Sequence, residues 1–130
     1  LEVIRIEVPW DPARTSRNTL DGRHWAKKLK AYQAAQQTAR WAWIAAGSPR
    51  APGAVRVSLT SHRPRKMDPD GLLAACKPLF DGLFKQAVAP DDSARWIELG
   101  EVKQVIYTRG PKVVFEIEPR VARATMKPRS

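Results

Sequence analysis

Along this chain the spacing of apolar residues changes period several times, and that alternation limits the fold more than any other feature. Ile4, Ile6 and Val8 alternate with Arg5 and Glu7, so residues 2 to 8 read as a half-buried strand that stops at Pro9. The stretch "PWDPARTSRNTLDGRH" follows, with prolines, Asp-Gly and three arginines, which is surface turn chemistry. Apolar positions at Trp25, Leu29, Tyr32, Ala35, Ala39, Trp43 and Ala46 then share one helical face, and Gly47 ends the run. After "SPRAPG", Val55, Val57 and Leu59 alternate with Arg56, Ser58 and Thr60 as a second strand ending at His62. Residues 69 to about 87 read as helical, and Pro78 predicts a kink or two short helices. Two apolar stretches, roughly 95 to 107 and 112 to 118, flank the turn "TRGP" and read as a hairpin. The order β-α-β-α-β-β predicts one small α/β domain, a mixed sheet with helices packed on it. It spans residues 1–118, and residues 119–130 form a basic, proline-containing tail predicted to be mobile.

A length of 130 residues suits a single core. No apolar run approaches the length of a membrane span, and the first residues lack the basic start and apolar stretch of a secretory leader. Cys76 is the single cysteine and has no Cys or His at metal-ligand spacing, which suits a reducing cytoplasm and a role as small core filler. The net charge of +10 makes a polyanion the natural partner, although positive surface also serves solubility. The basic residues cluster: Arg14, Arg17, Arg23, Lys27, Lys28 and Lys30 in one stretch, Arg63, Arg65 and Lys66 in another. Both clusters are candidate phosphate contacts.

Five of the 13 acids fall between residues 68 and 92, against the basic trend. Asp68 precedes Pro69, the pattern of an N-cap before a proline at the first helical position. Asp70 in the first turn gains from the helix dipole, by about 0.3 to 1 kcal/mol. Capping therefore absorbs this pair, but a second pair, Asp91 and Asp92, asks for more. Four carboxylates brought together repel unless a cation or protons intervene. Lys77 and Asp81, at i, i+4, read first as an ordinary ion pair. "DPDG" opens like a calcium loop, yet residues 72 to 76 supply no side-chain oxygens and no glutamate closes it.

"MDPDGLLAACKPLFDGL" followed by "AVAPDDSARW" resembles the signature of the RusA-like Holliday junction resolvases, in their phage-type form. "EVPWDPARTSRN" is similar to that family's amino-terminal strand, proline-rich loop and Asn, here Asn18. The resemblance implies a small α/β nuclease that dimerises and uses Mg2+ or Mn2+ to hydrolyse phosphodiester bonds in four-way junctions and related branched DNA. It implies Asp68, Asp70 and Asp92 as the metal-binding and catalytic acids, Asp91 as a neighbour that assists, and Lys77 as the catalytic lysine. Arg14, Arg17, Asn18, Arg23, Lys27, Arg63, Arg65 and Lys66 are then the DNA contacts. One departure is Gly71, where the family carries Asn.

Two other readings stay open at this point. One is a basic DNA-binding protein whose acids only cap helices, an inactive resolvase relative; the other is a metal-dependent enzyme acting on free nucleotides.

Overall fold

A computed structural model describes residues 3–16, 24–84 and 97–120 of the chain. Its elements are β1 (Ile4–Val8), a 3₁₀ turn (Pro12–Thr15), α1 (Trp25–Ala45), β2 (Val55–Arg63), α2 (Pro69–Ala75), α3 (Lys77–Leu83), β3 (Ile97–Ile106) and β4 (Lys112–Pro119). The protein is a small α/β domain built on a mixed four-stranded sheet.

Each boundary has a local cause. Gly47 has φ of 97° just after α1, the left-handed conformation that ends helices at little cost to glycine. The helical segment from residue 69 divides at Cys76, one residue before the Lys77-Pro78 pair, giving the two short helices that Pro78 predicts.

The strands lie in the order β1-β4-β2-β3. β4 pairs antiparallel with both β1 and β2, while β3 pairs parallel with β2. The expected hairpin of the last two stretches does not form: β3 and β4 flank β2 on opposite sides. Burial explains the separation. Val113, Val114 and Phe115 of β4 are all buried, whereas β3 carries Glu98, Glu101 and Lys103 and keeps Leu99, Val105 and Ile106 exposed. The apolar strand takes the interior of the sheet and the charged one takes an edge. Between them, Tyr107 N–H donates to Arg63 C=O at 2.9 Å, and its ring meets His62 edge-on as the chain crosses the end of β2.

One face of the sheet carries the helices, with Ile6, Val57, Leu59, Phe115 and Ile117 packed against Leu72, Leu79, Leu83 and Phe84. Cys76 is fully buried there, and burial pushes its thiol up to about 12, so it is filler rather than a nucleophile. α1 meets this layer through a narrower face than its spacing suggests. Ala35 and Ala39 are buried and Trp43 is partly so, while Trp25, Leu29, Tyr32 and Ala46 are exposed. The small residues permit close approach to α3, where a Cβ at Gly82 would run into the Gln36 carbonyl and the Ala39 methyl. Arg40 Nε also donates to Gly82 C=O at 3.1 Å. Among the described residues, no helix is long and apolar enough to cross a membrane.

Candidate functional site

β1 and β2 both run antiparallel to β4, so they are parallel to each other and their carboxyl ends lie at the same end of the sheet. α1 returns the chain from the end of β1 to the start of β2, and α2 leaves the end of β2. The carboxyl ends of parallel strands are the usual place for a binding site in such folds. Of the predicted residues, Arg14, Arg63, Arg65, Lys66, Asp68 and Asp70 are described in the segments that follow these strand ends.

The loops here are tied by polar contacts. Asp11 caps the 3₁₀ turn, its Oδ1 accepting from Ala13 N–H at 3.0 Å and from Arg63 Nε at 3.0 Å. Arg63 also donates to the Arg65 carbonyl at 2.5 Å, and its side chain is largely buried. Arg63 is thus a strut between the two loops, while Arg14, Arg65 and Lys66 are exposed. Thr15 Oγ1 donates to the Ala75 carbonyl at 2.8 Å, fixing the 3₁₀ turn to the end of α2. Tryptophans are expected mostly in the core, and Trp10 is buried even though its basic loop also offered it to DNA. Its Nε1 donates to Thr15 Oγ1 at 3.3 Å, and the Arg14 guanidinium lies 4.0 Å over its ring.

Asp68 is the N-cap of α2: Oδ2 accepts from Gly71 N–H at 3.0 Å, and its backbone carbonyl accepts from Leu72 N–H at 2.8 Å. The 3₁₀ turn offers an internal comparison, because "DPAR" and "DPDG" both begin with a capping Asp and a proline. The third position is Ala13 in one and Asp70 in the other. Asp70 is therefore surplus to the cap. It is exposed and, among the described residues, makes no hydrogen bond or ion pair.

Lys77 opens α3 and donates to Asp81 Oδ1 at 2.8 Å, the i, i+4 pair its spacing predicts. Lys27 is exposed in the first turn of α1. Arg17, Asn18, Arg23, Asp91 and Asp92 lie outside the described residues. Among the described residues, no three His, Cys, Asp or Glu side chains come together as a metal-binding group. Asp91 and Asp92 precede β3, which begins at Ile97 opposite Val55, while Met67 is bonded to Gln104 further along that strand.

The donor set fits a hard cation in kind: Asp68 uses one oxygen, Oδ2, for the cap, and Asp70 adds a second carboxylate. Magnesium is commonly held by one or two carboxylates together with waters and substrate phosphate.

Gln104 is the functional candidate that sequence reasoning missed. Its Oε1 accepts from Met67 N–H at 2.7 Å and its Nε2 donates to Met67 C=O at 2.8 Å, so it sets the chain just before Asp68. A signal existed: Gln104 shares the inner face of its strand with Val102, and a polar group there needs a partner. Asp11 was equally legible as a second Asp-Pro cap. No protein-family model matches the chain, and no curated protein matches it in sequence.

Proposed function

We propose that this protein is a divalent-metal-dependent endodeoxyribonuclease that resolves four-way junctions and related branched DNA, in the manner of the RusA-like resolvases it resembles, as a cytoplasmic homodimer. The observation that carries the reading is Asp70, an exposed carboxylate with no hydrogen bond or ion pair among the described residues, placed beside a capping Asp68 at the basic end of the sheet. A bound Mg2+ or Mn2+ supplies charge stabilisation to a scissile phosphoryl group and makes water a better nucleophile.

The chain's own residues supply the rest. Asp68 and Asp70 hold the cation, with Asp92, and Asp91 beside it, as the further acids the resemblance implies. Arg14, Arg65, Lys66 and Lys27, with Arg17, Asn18 and Arg23, contact the phosphates on either side of the acids, so binding weakens steeply with salt. Lys77 adds positive charge one helix further on, at the expense of its pair with Asp81. A two-fold dimer suits a junction in which two strands are cut symmetrically.

The second reading, DNA binding without cleavage, is favoured by Gly71, which stands where the resolvases carry Asn. One experiment separates the two: cleavage of a synthetic four-way junction with Mg2+ or Mn2+, by the wild type, Asp70→Asn and Gly71→Asn. Cleavage abolished in Asp70→Asn supports the nuclease. Binding with no nicking by either the wild type or Gly71→Asn sinks it. Gly71 tolerates the test, because a Cβ there meets only Asp68 atoms at 3.7 Å or more. Turnover of free nucleotides, with no dependence on branched structure, would instead support a nucleotide-processing enzyme.

A further inference from the structure

The first part of α1 is poorly explained by packing. From His24 to Gln33 no residue is buried, and the helix meets the core from Ala34 onward. Yet this overhanging stretch carries Trp25, Leu29 and Tyr32, exposed by 68%, 49% and 38%. Spaced i, i+4 and i+7, they form one continuous stripe. Lys28 borders it, three residues after Trp25 and four before Tyr32, and Lys27 and Lys30 lie on the other side of the helix.

The charge on this stretch is equally one-sided. α1 contains Lys27, Lys28, Lys30 and Arg40 and no acid at all. Cations in a first turn oppose the helix dipole, and among the described residues none of the three lysines makes an ion pair. An apolar stripe alone fits a protein partner as well as any other. Aromatic rings bordered by Lys28, on a helix that carries two further lysines and no acid, complement a ligand that offers both flat rings and negative charge. Single-stranded nucleic acid has that chemistry: its bases are free to stack, whereas those of a duplex are covered by their neighbours.

The geometry points to the first turns of α1 as a binding surface for single-stranded DNA, with Trp25 and Tyr32 stacking on unpaired bases and Lys28, at the edge of the stripe, holding a phosphate. The surface lies toward the end of the sheet that carries Asp68 and Asp70, since α1 packs against the 3₁₀ turn that follows β1. It would therefore engage bases left unpaired at a branch point. This inference rests on the DNA-binding side of the proposed function and not on catalysis.

The test measures binding of the full chain, in EDTA so that nothing is cut, to a labelled 20-nucleotide single strand and to a duplex of the same sequence over a range of salt. Trp25→Ala and Tyr32→Ala are each expected to weaken single-strand binding about 5- to 100-fold, the range for loss of one stacked base. Duplex binding should change less than twofold. Lys28→Gln should instead lower the single-strand salt slope by about 0.7, which the aromatic variants leave unchanged. The three side chains are surface groups, and circular dichroism of each variant verifies that α1 is retained. Single-strand affinity within twofold of wild type in both aromatic variants overturns the inference, as does an equal loss on duplex. A wild-type dimer that Trp25→Ala converts to monomer also overturns it, assigning the stripe to contact between copies. Junction cleavage in parallel keeps the two proposals apart. A Trp25→Ala protein that still binds single strands normally while Asp70→Asn fails to cut defeats only the stacking surface. A wild type that stacks but never cuts defeats only the nuclease.

Discussion

Gln104 holds Met67 by both backbone groups, accepting from its N–H at 2.7 Å and donating to its C=O at 2.8 Å. An edge-strand side chain thereby sets the position of the residue next to Asp68. Replacing it with leucine leaves a half-buried amide and carbonyl unpaired, and a loss of about 1 to 3 kcal/mol is expected in urea unfolding. If Asp68 needs that support to hold a cation, cleavage should fall by about 10- to 100-fold, with a weaker apparent metal affinity. Gln104→Glu keeps the acceptor and loses the donor, and should fall between the two proteins in both measurements.

Capping and catalysis separate by substitution at the two aspartates. Asp68→Asn preserves a good cap and removes the charge, so stability should hold within about 0.5 kcal/mol while cleavage is lost. Asp68→Ala should lose both, with about 1 kcal/mol of stability. Asp70→Asn should leave the unfolding midpoint almost unmoved and still abolish cleavage. A stable Asp68→Asn protein that cuts at the wild-type rate reduces the pair to helix capping.

Gly82 is required by the approach of α1 rather than by its own backbone conformation. Alanine there pushes its methyl into the Gln36 carbonyl and the Ala39 side chain, and relief requires the two helices to part. The expected cost is about 1 to 3 kcal/mol, measured by thermal or urea unfolding. Ala39→Gly makes room at one of the two contacts, so the double variant should recover part of the loss.

Buried Cys76 gives stability an alkaline dependence. Its thiol ionises near 9.0 when unfolded but is pushed up to about 12 in the fold. Below pH 9 both states keep the proton and this group contributes no slope. From pH 9 to about 12 only the unfolded state releases it, so stability falls as pH rises, by up to about 1.4 kcal/mol per unit. Cys76→Ala should be less stable at neutral pH but should show a shallower alkaline decline. The native thiol should also resist alkylating reagents at pH 8 until the protein unfolds.

Much of this fold is legible locally. The strands at Ile4 and Val55, the helix stopped by Gly47, the division at Pro78 and the cap at Asp68 all follow from period and punctuation within a few residues. What was not legible depends on distant partners. "TRGP" between two apolar runs has the marks of a hairpin, and only the burial of Val113, Val114 and Phe115 draws β4 across β2 to lie beside β1. Trp25, Leu29 and Tyr32 have the spacing of a core face, but periodicity cannot show that contact with the core begins only at Ala34. At the candidate site, Asp70 and its basic neighbours follow from the sequence, whereas Gln104 and the Arg63 strut depend on strands that meet only in the folded sheet.

The interior position of β4 also governs when the protein can fold. β1 pairs with residues 113–117, more than 100 positions later in the chain, and β2 takes its antiparallel partner from the same strand. Until β4 has left the ribosome, β1 and β2 have no strand between them, and Ile6, Val57 and Leu59 lack the Phe115 side of their core. The sheet closes with its last strand. Such long-range pairing slows folding and leaves a period in which apolar strands stand open to other chains. The bonds that order Met67 and the loops beside Asp68 likewise await the assembled sheet, so the acidic pair takes its final setting only after nearly the whole domain has been made.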